Sequence, residues 1–173
     1  MNIPTLETDD LILRAFRDTD LDDYAAMLAD PKIVRHIRDG EPYTREESWR
    51  SMAFFHGHWS LRGYGMWAVE HKETHRCIGR VGLHNPEGWP GLEVGWLIDS
   101  EYWGQGYATQ GARASLDYAF SILNAEQVLS LIKDDNLASI RVAEKIGETF
   151  IREDTLLGFD HHVYGIKANE YNR

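Results

Sequence analysis

The stretch richest in possible chemistry runs from Glu93 to Phe120, EVGWLIDSEYWGQGYATQGARASLDYAF. A strand pattern that begins at Glu93 passes through a short loop into Gly104, Gln105 and Gly106 and continues directly as a helical pattern. Small residues at such a junction let a ligand approach the backbone closely. The first N–H groups of a helix have no partners inside it and are free to bind an anion. The junction therefore reads as a candidate phosphate cradle. Charge placement sharpens the reading, because two earlier helical segments carry carboxylates in their first turns, whereas no Asp or Glu occurs between Tyr102 and Leu116. The competing reading is an ordinary strand-to-helix turn, which is what most isolated G-x-G spacings are. Neither G-x-x-x-x-G-K-[ST] nor G-x-G-x-x-G is satisfied, since Thr109 stands at the third glycine position and no Lys follows. Walker-type and dinucleotide loops are thereby excluded.

Other chemistry-bearing residues are more scattered. His71 to His75 reads H-x-E-x-H rather than the zinc-binding H-E-x-x-H, because Lys72 occupies the required Glu position. A polar turn is expected there and no metal. His56 and His58 diverge on a helix, and His161 and His162 fall on opposite faces of a strand, so neither pair chelates naturally. Cys77 is the only cysteine, which rules out an intramolecular disulfide and a Cys-based metal cluster. A small buried residue is its expected role. Trp49, Trp59, Trp67 and Trp96 read as core or pocket walls.

The elements that must position these residues follow from periodicity. Asp10 to Phe16 reads as a strand and Asp18 to Ala29 as an acidic-started helix. Thr44 to Glu47 (TREE) is a capping box opening a second helix through about Trp59. Met66 to Glu70, Cys77 to Leu83 and Leu92 to Ile98 form a three-strand meander broken by glycine and proline loops. A helix from Gly106 to Leu123 carries Ala112, Leu116, Ala119, Phe120 and Leu123 on one face. The strand Gln127 to Ile132 then leads to a helix from Asn136 to Ile146, with Asn136 as N-cap and Gly147 as C′ residue. Strands at Glu148 to Arg152 and Leu157 to Ile166 complete a mixed sheet with helices on its faces.

Composition bounds the partners. The 173 residues suit one domain, and 43% apolar with 12% aromatic content is that of a folding chain. Eighteen Lys and Arg against 28 Asp and Glu give a net charge of −10. That balance opposes non-specific binding to nucleic acid or an anionic membrane face. No segment approaches the about 18 uninterrupted apolar residues of a membrane span. The N-terminal MNIPTLETDD has neither a basic start nor an apolar stretch, so a cytoplasmic location is expected.

WGQGYATQ, Trp103 to Gln110, resembles the [RQ]-x-x-G-x-[GA] pyrophosphate loop of the GNAT N-acetyltransferases, with Trp103 in place of the usual Arg or Gln. The longer run EYWGQGYATQGARASLDYAF resembles the ribosomal-protein-alanine acetyltransferase branch, the RimJ/RimL-like group. DNLASIRVAEKIG, Asp135 to Gly147, is similar to that group's N-x-x-S helix ending in E-K-x-G, and LRAF near the start and HHVYGI near the end fit as well. The resemblance implies an α/β (α+β) fold, a mixed, mostly antiparallel central sheet of about seven strands flanked by about four helices, with residues 1–173 as a single domain.

It also implies acetyl-CoA as co-substrate, with no metal. The backbone of Trp103, Gly104, Gln105, Gly106, Tyr107, Ala108 and Thr109 would hold its pyrophosphate, Leu97 and Ile98 would bond the pantetheine arm as an added strand would, and Asn136 would contact CoA while serving as helix cap. Acyl transfer to an amine needs a base, oxyanion donors and a proton for the thiolate. Glu93, on the strand feeding the cradle, is the candidate base, directly or through water, against a strand-end salt bridge. His84 is a second candidate, otherwise a loop residue. The family's thiolate acid, a Tyr, aligns with Ala143, so Ser139 is the substitute that the RimL-like pattern suggests, against a simple contact in the first helical turn. A backbone N–H near Ile98 is the expected oxyanion donor. The expected activity is transfer of an acetyl group to a primary amine, a protein N-terminus or a small cationic amine, by a monomer or homodimer. A non-catalytic acyl-CoA sensor and a transferase of a larger acyl group are the alternatives.

Overall fold

In the computed structural model, which describes residues 3–171, the expected strands join into one eight-stranded sheet of order β1-β2-β3-β4-β5-β6-β8-β7. The strands are β1 (Leu6–Glu7), β2 (Leu11–Arg14), β3 (Met66–His71), β4 (Cys77–His84), β5 (Glu93–Ile98), β6 (Gln127–Ile132), β7 (Thr149–Leu156) and β8 (Phe159–Lys167). The helices are α1 (Leu21–Leu28), α2 (Pro31–Val34), α3 (Arg45–Arg62), α4 (Tyr107–Ser121) and α5 (Leu137–Lys145). Residues 1, 2, 172 and 173, which include the first two of the N-terminal stretch, lie outside this description.

The mixed, mostly antiparallel sheet has the expected class, with one more strand and one more helix than the sequence pattern indicates. Strand β1 is two residues long and has no alternation to detect. Helix α2 is a single turn, started by Asp30, whose side chain accepts from the Lys32 N–H, and by Pro31 at its first position. The capping box at Thr44 is present, its hydroxyl accepting from the Glu47 N–H and the Glu47 carboxylate from the Thr44 N–H. Strands β7 and β8 meet at Leu157 and Gly158, both at positive φ, which is the geometry of a tight two-residue hairpin; β7 therefore runs on to Leu156, further than predicted, and β8 starts at Phe159 rather than Leu157.

Two apolar layers sandwich the sheet, and strand parity assigns residues to them. On one side α4 packs over Val81, Val94 and Ile98, contributing Ala112, Leu116 and Ala119. On the other, α1 and α3 cover Met66, Ala68 and Leu97 with Tyr24, Leu28, Met52 and Phe55. Side chains alternate along a strand, so Glu93 and Gly95 share the face of Leu97.

The sheet changes character between β5 and β6, its parallel neighbours, whose register holds at Glu93 opposite Leu129. The Leu129 N–H donates to the Leu92 carbonyl at 2.8 Å, and Ser130 Oγ donates to the Val94 carbonyl at 2.9 Å. Past that point the ladder stops and the two strands part toward their C-terminal ends. Backbone groups that would pair in a continuous sheet face a split instead.

Candidate active site

The split begins at Glu93, and the strand parity of β5 fixes what lines it. The carbonyls of Leu92, Val94 and Ile98 all accept bonds from outside β4, whereas the Asp99 N–H turns back to the Ile78 carbonyl. Backbone groups alternate sides along a strand, so Trp96 and Ile98 present theirs to the split. Leu97 does not, and its carbonyl lies against Gly79 of β4. Of the two residues expected to offer a strand edge, Ile98 turns its backbone groups toward the split and Leu97 is corrected: its backbone is spent on β4 and its side chain is buried among residues of α1 and α3. Trp96 takes its place. The Ile98 carbonyl is already held by the Trp103 indole N–H at 2.7 Å.

At the vertex of the split, the Glu93 carboxylate accepts a 2.6 Å bond from the Trp89 indole N–H, and the Leu131 backbone N–H also favours its charged form. Burial raises Glu93 to about 7, against the opposing pull of those two donors and of the nearby Arg80 charge. Glu93 makes no ion pair among the described residues, so the strand-end salt bridge is not its arrangement. A carboxyl that titrates near neutrality can take a proton at working pH, which is what a general base requires.

His84 is the last residue of β4 rather than a loop residue, and it sits directly opposite Glu93 in the register. Burial, with the charges of His58 and Arg80 nearby, pushes it down to about 3. It stays neutral and is too weakly basic to serve as the base. His58 is held at both ring nitrogens, Nδ1 lying 2.8 Å from the Tyr64 carbonyl and Nε2 3.2 Å from the Asn85 backbone nitrogen.

Ser139 lies in the first turn of α5, the helix that follows β6. Its N–H donates to the Asn136 side chain at 3.2 Å, so Asn136 is the N-cap, and its hydroxyl accepts from the Trp96 indole at 3.3 Å. That bond leaves the hydroxyl its own proton to give. Ala143 is fully buried against Ile132 and Tyr164 and offers nothing to the split.

Beyond Ile98 the chain makes a turn of 3₁₀ helix at Ser100–Tyr102 and enters the loop that opens α4. Gly104 and Gly106 have φ of +79° and +85°, left-handed values that L residues rarely take, and a Cβ on either would point into open space. Trp103, Gly104, Gln105 and Gly106 are exposed, and Ala108 and Thr109 are half-buried. Gly106 caps α4 with no side-chain bond, and the first turn holds no acidic residue. The result is an open ring of backbone N–H groups at the positive end of a 15-residue helix. Tyr107 points its ring inward, its hydroxyl 3.0 Å from His71 Nε2, and so ties the helix start to β3. That bond also commits the first histidine of the H-x-E-x-H run. The buried Cys77 thiol is pushed up to about 12 and is inert as a nucleophile.

Trp89 is the residue of this site that the sequence pattern does not reveal. Its signal is a Trp in a proline and glycine loop four residues before a buried acid, a place where an indole N–H can reach a carboxylate.

The family description Acetyltransferase (GNAT) domain matches residues 10–149. The uncharacterised protein YkkB of Bacillus subtilis (strain 168) is 33% identical over 156 residues, covering 85% of this chain and 87% of that one. Among solved structures, an acetyltransferase from Agrobacterium tumefaciens str. C58 is 32% identical with a TM-score of 0.82, covering 96% of this chain and 95% of that one. The ribosomal-protein-S5-alanine acetyltransferase of Vibrio fischeri, 18% identical, shares the fold at a TM-score of 0.77 over 99% of this chain and 100% of its own.

Proposed function

The chain belongs to the GNAT acetyltransferase family and is an acetyl-CoA-dependent acetyltransferase. From that premise we propose that it acetylates a primary amine, either a protein N-terminus or a small amine that is cationic in solution. We further propose that residues 1–173 act as a single domain, as monomer or homodimer, in the cytoplasm, within the RimJ/RimL-like branch. Among the described residues no helix is long and apolar enough to cross a membrane.

One observation carries the reading: the split between β5 and β6 has a carboxyl poised near neutrality at its vertex and an open, acid-free helix start at its mouth. Acetyl-CoA fits that geometry. Its pyrophosphate lies on the backbone N–H groups of Gly104 to Thr109, where a diphosphate needs donors and no carboxylate repels it. The pantetheine arm runs into the split along Trp96 and Ile98, and Asn136 borders the arm from α5.

The bound thioester supplies an activated acetyl group, and the protein does the rest. Holding amine and thioester together in the split removes the entropy cost of their encounter. Glu93, directly or through a water, takes the proton that the amine must lose, and the Trp89 indole fixes its carboxylate. A β5 backbone N–H at or beside Ile98 donates to the carbonyl oxygen as it becomes an oxyanion. Ser139 donates a proton toward the departing thiolate.

Free-thiol release from acetyl-CoA, measured against alkylamines, polyamines, amino acids and peptides with free N-termini, tests the reading. Saturable release with an acetylated amine as product is the expected result. Release without an acetylated amine, or none with any acceptor while CoA still binds, would contradict it.

A further inference from the structure

One guanidinium beside the site lacks the partner that such a group ordinarily has. Arg80 of β4 is half-buried, yet among the described residues no carboxylate stands within ion-pair distance of it. It donates to the Tyr24 hydroxyl at 2.6 Å, and its guanidinium carbon lies 5.2 Å from the centre of the Phe55 ring. Tyr24 in turn meets Ser51 at 3.2 Å. A guanidinium carries five N–H donors in a planar fork, and buried cations are ordinarily paired. Arg14 provides the contrast within the same chain: buried on β2, it is bracketed by Asp20 and Glu70.

Strand register places this charge in line with the candidate base. Three cross-strand pairs on one face of β4 and β5 run Arg80 with Leu97, Gly82 with Gly95 and His84 with Glu93. The middle pair has no side chains, so the strip between Arg80 and Glu93 carries no side chain of β4 or β5 itself. Met66 lies over it, its terminal methyl 2.9 Å from where a Gly95 Cβ would be, and Glu93 Oε1 stands 3.6 Å from that same point. The Glu93 carboxyl thus leans along β5 toward the Arg80 end of the strip. The Arg80 charge reaches both Glu93 and the neutral His84. The face is a slot with a base at one end, an apolar floor and an unmatched cation at the other.

We propose that the amine acceptor of this site also carries an anionic oxyacid group, a carboxylate in the first instance, and that Arg80 binds it. The inference rests on the acetyltransferase reading with Glu93 as base. An acceptor with ammonium at one end and carboxylate at the other complements the slot, since the amine goes to Glu93 and the carboxylate to the guanidinium fork. A diamine or polyamine does not, because its second ammonium would meet Arg80. The net charge of −10, which suggests a cationic acceptor from composition alone, is therefore not the charge of this slot. A phosphonate is the other oxyanion with the same recognition chemistry.

Acetylation rates on matched series of n-alkylamines, α,ω-diamines, ω-amino acids and aminoalkylphosphonates of two to six carbons, together with α-amino acids, test the proposal. At the best chain length, kcat/KM for an anionic acceptor should exceed that for the alkylamine and the diamine by at least about tenfold, the factor that 1.4 kcal/mol carries. Arg80→Gln should abolish that preference and Arg80→Lys should retain part of it, with CoA titration certifying that each variant is folded. Whichever oxyanion is preferred identifies the group. Equal or better turnover of alkylamines or diamines would overturn the inference while leaving amine acetylation intact. The same holds if Arg80→Gln slows all acceptors alike and merely shifts the pH profile, because Arg80 would then tune Glu93 and nothing more. No turnover of any amine or peptide would overturn the amine-acetylation reading and this inference with it.

Discussion

Glu93 on β5 and Ser139 on α5 are each held by an indole, Trp89 in one case and Trp96 in the other. The two indoles play different parts. Trp89 donates to a carboxylate and keeps it aimed, whereas Trp96 donates to a hydroxyl and leaves that hydroxyl's proton free for another acceptor. If Ser139 protonates the departing thiolate, Ser139→Ala should lower kcat by about 10- to 100-fold, toward the low end of general-acid effects. CoA affinity should hardly change, because the Asn136 cap bond to residue 139 is a backbone bond and survives. Steady-state kinetics with isothermal titration of CoA separates the two, and an unchanged kcat would mean that the hydroxyl serves only to receive the Trp96 indole. Glu93 and Ser139 were both legible in the sequence as candidates. Their anchors were not, because an indole that reaches a buried acid from a loop leaves no periodic signal.

At the scale of elements, the legible parts were those with local chemistry. The Thr44 capping box, the Asn136 cap, the Gly147 end of α5 and the acid-free start of α4 are all short-range arrangements, and each appears where local rules place it. The edge of β5 was read with Leu97 where Trp96 stands. Alternation shows that a strand exists but not which of its backbone groups pair with which neighbour, and the assignment of Leu97 depended on that parity. The bare Gly82–Gly95 pair is a second feature of register, invisible until β4 and β5 are laid side by side. The α4 start carries its own prediction. Gly106→Glu places bulk and negative charge where the pyrophosphate should lie, and should weaken CoA binding by about 100-fold or more, since one misplaced charge near a helix terminus adds repulsion to the lost donors. Gly106→Asn is the control for the left-handed φ, which Asn tolerates, and should cost far less. Equal CoA affinity for the Glu variant and the wild type would remove the pyrophosphate from this loop.

Across the whole molecule, the negative charge matters through its placement as well as its total, absent from the α4 start and, among the described residues, from ion-pair distance of Arg80. Burial adds a pH dependence to stability. Glu148, directly after the Gly147 turn, is 2% exposed with neither carboxylate oxygen solvent-accessible, and burial raises it to about 8, with the Glu93 charge adding to the rise. Both carboxyls keep protons in the fold that they release in the unfolded chain, whose carboxylates titrate near 4.3. Stability should therefore fall as pH rises toward 8. Neutral His84 acts in the opposite sense only below about pH 6.5, where the unfolded imidazole gains a proton that the folded one refuses. The fall should thus be plain between about pH 6.5 and 8. Glu148→Gln should flatten it, as read by melting temperature against pH, and a wild-type melting temperature that is level or rising over that window would contradict the placement of Glu148.

Amine acetylation through a base at the vertex of the β5–β6 split makes a sharp prediction for the pH dependence of kcat/KM in wild type and Glu93→Gln. The wild type should show a rising limb with an apparent pKa near 7. Glu93→Gln should lose that limb, leaving only the titration of the acceptor amine, and should fall by about 100-fold or more at pH 7, the usual scale of a lost general base. A Glu93→Gln enzyme with the wild-type profile and rate would contradict the account.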